Sequence, residues 1–114
     1  MKLILHIGTG KTGTTSVQAA FHNNQEDLRS LKISYPPGET KDHNILEASV
    51  LEFDNLHRVY RSMYSGNRDM PKTIAMDLIK KIKSTKSDYV ILSGEYFFAL
   101  SITKAKALLD ILEI

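Results

Sequence analysis

The stretch LILHIGTGKTGTT, residues 3–15, decides the fold that we expect for this chain. An apolar run of strand type ends in a loop with three glycines and one lysine, and an amphipathic stretch follows directly. A strand, a glycine-rich turn and a helix N-terminus together form an anion site, because backbone N–H groups converge there and the helix dipole favours negative charge. The stretch therefore predicts an α/β protein that holds a phosphate-bearing ligand.

The spacing within this loop indicates which ligand it suits. A nucleoside-triphosphatase loop reads G-x-x-x-x-G-K-[ST], and Gly8 and Gly13 supply its two glycines. Position 14 should then be lysine but is Thr14, and the lysine of the loop is Lys11. We therefore expect one phosphate and a group that is transferred past Lys11. A structural turn without ligand and a triphosphate-binding loop are the alternatives.

The segment 11–15, Lys-Thr-Gly-Thr-Thr, resembles the 5′-phosphosulfate loop of sulfotransferases, which commonly reads K-[ST]-G-[ST]-[ST] between a strand and a helix. Gln18, Phe21 and the segments 33–36 and 91–95 are also similar to bacterial members of that family. The resemblance implies a P-loop-containing three-layer α/β/α fold with a parallel sheet. It also implies transfer of a sulfuryl group from 3′-phosphoadenosine 5′-phosphosulfate to a hydroxyl or amine acceptor.

The resemblance further implies roles for the loop residues. Lys11 would stabilise the charge that grows on the bridging oxygen of the phosphosulfate. The 5′-phosphate would be held through N–H and hydroxyl donors, without a metal ion. The donor-binding residues expected on this basis are Gly10, Lys11, Thr12, Gly13, Thr14 and Thr15.

Two residues are candidates for the base that accepts the acceptor's proton. Glu95 follows a predicted strand at 88–93, and ligands of open α/β sheets bind beyond the carboxyl ends of the strands. If the strands are parallel, Glu95 and the loop lie in one crevice. The alternative is that Glu95 is a solvated loop residue or caps the following helix. His43 is the rival, at the start of a helical pattern over 43–63, and its alternative role is that of an exposed surface residue.

The remaining pattern predicts a strand at 2–7, a helix from about 14 to 28 and a short extended piece at 33–35. A helix follows with Pro71 in its first turn, and another spans 102–112 with Ser101 as its cap. Two confident strands are few for a doubly wound sheet. We therefore expect residues 1–114 to be the N-terminal part of a single sulfotransferase-like domain.

Composition limits the function classes. A hydrophobic fraction of 42% and a net charge of +2 describe an ordinary globular protein with no general nucleic-acid role. No apolar stretch reaches the ~20 residues that span a bilayer. The chain contains no cysteine, its four histidines are dispersed, and no metal-ligand spacing is visible.

A cytoplasmic location is expected, because no cleavable signal pattern is present and the donor is made in that compartment. The acceptor stays open among carbohydrate, lipid and small-molecule hydroxyls. The alternative function is a non-catalytic or kinase-like P-loop nucleotide-binding domain.

Overall fold

A parallel sheet forms the centre of the computed structural model, which describes residues 2–6, 14–38 and 40–113. Its strands are β1 (Lys2–His6), β2 (Ile33–Ser34) and β3 (Tyr89–Ser93), in the order β1-β3-β2. β1 runs alongside β3 from the Lys2–Tyr89 pair to the His6–Ser93 pair, and both neighbours of β3 are parallel to it. The predicted α/β class with a parallel sheet is confirmed, and the carboxyl ends of β1 and β3 lie side by side.

Five α-helices accompany these strands in the described residues: α1 (Thr14–Asn23), α2 (Gln25–Ser30), α3 (Arg58–Met63), α4 (Met70–Ser84) and α5 (Ile102–Leu112). Three 3₁₀ segments lie at Asn44–Ser49, Phe53–Asn55 and Glu95–Ala99. The bounds of α5 are confirmed, and Ser101 Oγ caps it by accepting the Lys104 N–H at 3.2 Å. Pro71 lies in the first turn of α4, as predicted.

Two helix predictions are wrong. The helix expected from 14 to 28 is interrupted at Asn24, whose side-chain amide turns back to donate to the Ala20 carbonyl at 2.7 Å. The long helix expected over 43–63 is absent from the structure, which has two 3₁₀ segments and the short α3 there. A 3₁₀ helix shares the i, i+3 spacing of apolar side chains with an α-helix, so the apolar stripe alone does not distinguish them.

Long-range contacts decide the conformation of that segment. All residues of Asn44–Ser49 are buried, and the Glu47 carboxylate accepts the His57 N–H at 2.7 Å. This bond spans ten positions and draws the chain into a turn where a continuous helix would run straight. Ser49 Oγ also donates to the Leu46 carbonyl at 2.7 Å, an alternative to the helical ladder.

The central strand β3 separates two differently packed faces. Val90, Ile91 and Leu92 are all buried, so both faces of this strand are covered. Ser93, the last residue of the strand, contacts Gln18 of α1. On the other face, Val90 and Leu92 belong to the main hydrophobic core, together with residues of the 44–49 segment, α4 and α5: Ile45, Leu46, Leu78, Ile79, Ile82, Leu108 and Leu112.

No helix within the described ranges is long and apolar enough to cross a membrane.

Candidate functional site at the carboxyl edge of the sheet

Four polar side chains meet at the carboxyl ends of β1 and β3, and we call them the polar row: His6, Ser93, Gln18 and Glu95. His6 Nδ1 lies 2.7 Å from Ser93 Oγ. The Gln18 side-chain amide donates to Ser93 Oγ at 3.1 Å and to Glu95 Oε2 at 3.1 Å. The row thus links the end of β1, the end of β3, the helix α1 and the segment after β3 by direct hydrogen bonds.

Strand register brings the first two members together. His6 and Ser93 are paired across the parallel β1–β3 ladder, so their side chains lie on the same face of the sheet. Ser93 is fully buried and Gln18 nearly so. Because Ser93 Oγ accepts a hydrogen bond from Gln18, its hydroxyl proton is available to His6 Nδ1.

Gly94, whose backbone is extended, connects β3 to Glu95 at the end of the row. A Cβ at this glycine would lie 2.5 Å from Asn44 Oδ1 and 3.1 Å from a Phe97 ring carbon, so no larger residue fits there. Asn44 Oδ1 approaches this closely because it accepts the Tyr96 N–H at 3.0 Å. The close packing of Asn44 fixes where the chain turns after β3, and hence where the Glu95 carboxylate lies.

Glu95 is partly buried and hydrogen-bonded, so it differs from a freely solvated loop residue. The two aromatic residues that follow Glu95 pack against other parts of the protein. Phe97 belongs to the hydrophobic core, and the Tyr96 ring stacks on His57 with centroids 4.0 Å apart. Among the described residues, the contact found for the Glu95 carboxylate is the amide of Gln18, which donates to one of its two oxygens.

His43 lies on the backbone side of Ser93 and is 1% exposed. The ring Nδ1 of His43 accepts the backbone N–H of Ser93 at 2.9 Å. The backbone N–H of His43 donates to the Ser93 carbonyl at 2.7 Å. Its Nε2 lies 2.8 Å from the Pro36 carbonyl. A backbone N–H only donates and a carbonyl only accepts, so the ring is neutral and carries its proton on Nε2. We call His43, the Pro36 carbonyl and the Ser93 backbone the latch.

The latch corrects the expectation for His43. The alternative that His43 is an exposed surface residue is wrong, because its side chain is almost completely buried. This burial lowers the pKa of His43 to about 4. The role of base is disfavoured as well. The lone pair that a base would use already accepts the Ser93 N–H, and protonation there would leave that N–H without an acceptor.

Two further ionisable groups lie close to the row and were missed in the sequence. Tyr35 is buried, its hydroxyl donates to the Lys41 carbonyl, and burial together with the charge of Asp42 raises the pKa of Tyr35 to about 12. Burial also raises the pKa of Asp42, and the charge of Glu95 adds to this effect. Asp42 and Glu95 are therefore close enough for their negative charges to repel each other.

The structure describes the elements on either side of the predicted donor loop. Residues 7–13, including Gly10, Lys11, Thr12 and Gly13, lie outside the described residues. β1 ends at His6 and α1 begins at Thr14, so both flanking elements contribute a side chain to the polar row, His6 from the first and Gln18 from the second.

The strand register was the signal that would have found the row. His6 and Ser93 are the last residues of their predicted strands or close to it, and parallel pairing aligns such positions. From the sequence, His6 was counted only among four dispersed histidines, and Ser93 and Gln18 were included only through the family resemblance. No signal in the sequence pointed to Asp42.

In the part of the chain that the structure describes, no group of three or more histidine or acidic residues is arranged to hold a metal ion. A comparison of the chain with protein-family models, curated proteins and solved structures finds no match. The function must therefore be argued from the loop sequence and the geometry of the polar row.

Proposed function

We propose that this protein is a sulfotransferase that uses 3′-phosphoadenosine 5′-phosphosulfate as donor and a hydroxyl or amine compound as acceptor. The observation that carries the proposal is the polar row. It connects both flanks of the donor loop to Glu95 through hydrogen bonds of 2.7–3.1 Å. A base at this place fits transfer chemistry, because it lies at the same sheet edge as the ends of the loop whose sequence resembles the family.

A P-loop-containing three-layer α/β/α architecture is part of the proposal. Its support is that α1 bonds to Ser93 on one face of β3, while α4 and α5 belong to the core that includes Val90 and Leu92 on the other face. A cytoplasmic location, where the donor is made, is also part of it.

The proposed reaction is an in-line substitution at sulfur. The acceptor oxygen attacks the sulfur atom, and the bond from sulfur to the bridging oxygen of the donor breaks. Adenosine 3′,5′-bisphosphate leaves with the negative charge on that oxygen, which the Lys11 ammonium stabilises. N–H and hydroxyl groups of residues 12–15 hold the 5′-phosphate. The acceptor proton passes to Glu95.

Gln18 has a positioning role in this reaction. Its amide nitrogen is fixed by the buried Ser93 hydroxyl and donates to one oxygen of the Glu95 carboxylate. A carboxylate held in this way keeps its second oxygen in one direction, which favours proton transfer in a fixed geometry.

Replacement of Lys11 tests the proposal. Lys11→Ala should lower turnover by ~10²-fold or more, with a smaller effect on donor affinity, if the lysine acts mainly on transition-state charge. Lys11→Arg should restore only part of the rate, because a planar guanidinium differs from a compact ammonium. Transfer is measured as sulfuryl label appearing in a panel of hydroxyl and amine acceptors. Near-normal turnover by Lys11→Ala would remove this residue from the mechanism.

A further inference from the structure

A cavity lies between the loop that follows β2 and the helices α3 and α4. Its volume is about 360 Å³, within the range of roughly 300–1,000 Å³ that is typical of small-molecule sites. Its wall is mostly apolar or aromatic, with a few polar groups, which is the usual composition of such sites. The lining residues used below are Asp42, Tyr60, Tyr64, Ile74, Asp77 and Lys81.

The partly buried Asp42 carboxylate is the fixed polar group of this cavity. Both hydrogen bonds found for it go to Oδ1, from the Asn44 N–H at 3.0 Å and the Thr40 hydroxyl at 3.2 Å. These two donors orient the carboxylate, and no donor to Oδ2 is found among the residues that the structure describes, so Oδ2 is the oxygen that a ligand would meet. Burial raises the pKa of Asp42, so its charge lacks full compensation in the protein.

The charges around the cavity do not neutralise Asp42. Lys81 and Asp77 lie one turn apart on α4 and are both exposed, at the rim of the cavity. Their opposite charges balance each other there. Among the described residues, no salt bridge joins Asp42 to a lysine or arginine. The lining residues that the structure describes carry two carboxylates, Asp42 and Asp77, against the one ammonium of Lys81.

Two aromatic rings complete the polar side of the cavity. Tyr60 is buried and Tyr64 is partly buried, and both line the cavity together with Asp42. Faces of tyrosine rings attract cations, and a carboxylate beside them adds a charge-assisted hydrogen bond. Ile74 and the other aliphatic residues of the lining suit a hydrocarbon body attached to that cation.

We infer that this cavity binds a small molecule with a protonated amine on an apolar body, the ammonium group lying against Asp42 Oδ2 and the tyrosine rings. The site does not depend on the donor loop, so this inference and the proposed function can fail separately. Binding is measured without any nucleotide.

The test is calorimetric titration at neutral pH with three probes of similar shape: 2-phenylethylamine, 2-phenylethanol and 3-phenylpropionate. The amine should bind ~10-fold or more tightly than the alcohol, and the acid should bind more weakly than both, because only the amine forms a charge-assisted hydrogen bond with Asp42. This comparison uses the unaltered protein, so it holds even if a variant fails to fold. Equal binding of amine and alcohol, or no binding of the amine, would overturn the inference.

Two variants locate the binding. Asp42→Asn retains an Oδ1 acceptor for Asn44 and Thr40 but removes the charge, and it should weaken amine binding ~10-fold while leaving alcohol binding nearly unchanged. Asp77→Asn is the matched control at the exposed rim and should change amine binding by no more than about 2-fold. An unchanged affinity in Asp42→Asn, or a larger loss in Asp77→Asn, would place the amine elsewhere and contradict the assignment.

Discussion

The polar row and the latch meet at one residue, Ser93, and use it in different ways. The row uses the Ser93 hydroxyl, which contacts His6 and Gln18, whereas the latch uses its backbone N–H and carbonyl, both of which bond to His43. In the latch, both ring nitrogens of His43 have a partner. In the row, one oxygen of Glu95 has a partner among the described residues, and the side chain is only partly buried. The comparison shows that the two sites differ in hydrogen bonding: the ring of His43 has a partner at both nitrogens, whereas the described partners of Glu95 occupy one oxygen of its carboxylate.

The largest effect on the transfer rate is expected when the basicity of Glu95 is removed. Glu95→Gln retains the shape of the side chain and an oxygen that can accept from Gln18. It should reduce transfer by ~10²- to 10⁴-fold, the usual contribution of a general base. Binding of adenosine 3′,5′-bisphosphate should stay nearly unchanged. Sulfuryl transfer from labelled donor and calorimetry with the bisphosphate give the two readouts.

His43→Asn is the matched control for this experiment. Its transfer rate, measured at a temperature where the variant is folded, should exceed that of Glu95→Gln. If Glu95→Gln keeps its rate and His43→Asn loses it at unchanged stability, the two regions have exchanged roles and His43 is the base.

Loss of the latch should instead lower stability. Asparagine cannot reach both the Pro36 carbonyl and the Ser93 N–H, so at least one buried polar group loses its partner. Such a loss costs about 1–3 kcal/mol, and the smaller side chain adds a cavity. Urea denaturation at neutral pH should therefore show a lower free energy of unfolding for His43→Asn. The control is His22→Asn, a variant of a partly buried histidine in α1, which should lose less stability than His43→Asn. Equal stability of both variants would contradict the latch.

The latch also predicts a direction of pH dependence. The pKa of His43 falls from 6.5 to about 4 on folding, so the unfolded chain binds more protons between these values. The contribution of His43 to stability is complete above pH 6.5 and is lost as the pH falls towards 4. Asp42 and Glu47 have raised pKa values and act in the opposite sense, since their protonation favours the folded state as the pH falls.

The contribution of His43 to the pH dependence is separated from the others by comparing two proteins. The free energy of unfolding is measured by urea denaturation from pH 7 to 5 for the unaltered protein and for His43→Asn, because Asp42 and Glu47 contribute equally in both. The difference in unfolding free energy between them should shrink as the pH falls. A difference that stays constant over this range would show that His43 is not held neutral by burial.

The smallest effect is expected for the residue that positions Glu95. Gln18→Met keeps the length of the side chain but removes the donor to Glu95 and Ser93, and it should lower transfer by ~10-fold. Donor binding should change little. Gln25→Met, in α2, is the control and should retain the full rate. A normal rate in Gln18→Met would show that the row does not orient Glu95.

Local signals were sufficient for a large part of the fold. The apolar run of β3, the cap at Ser101 and the position of Pro71 are properties of short segments, and each is found where the sequence predicts it. The long helix over 43–63 failed because its conformation depends on a bond between Glu47 and His57 and on burial against other elements. Such contacts leave no periodic trace in the sequence.

The candidate site divides in the same manner. The position of Glu95 just after the end of β3 was predicted correctly, because it is a local property of the sequence, and its role as base stays a prediction. The burial of His43 could not be anticipated, since its ring partners lie 7 and 50 positions away along the chain. A histidine after a proline-rich loop looks exposed until the strand that it contacts is placed beside it.

Nucleotide preference tests the central claim most directly, because it requires no knowledge of the acceptor. The measurement is calorimetric titration of the full-length protein with adenosine 3′,5′-bisphosphate and, separately, with ATP and Mg²⁺. The sulfotransferase assignment predicts tighter binding of the bisphosphate, with no requirement for Mg²⁺, since Thr14 stands where a triphosphatase has lysine. Tighter, Mg²⁺-dependent binding of ATP would contradict it and indicate a triphosphate-binding domain.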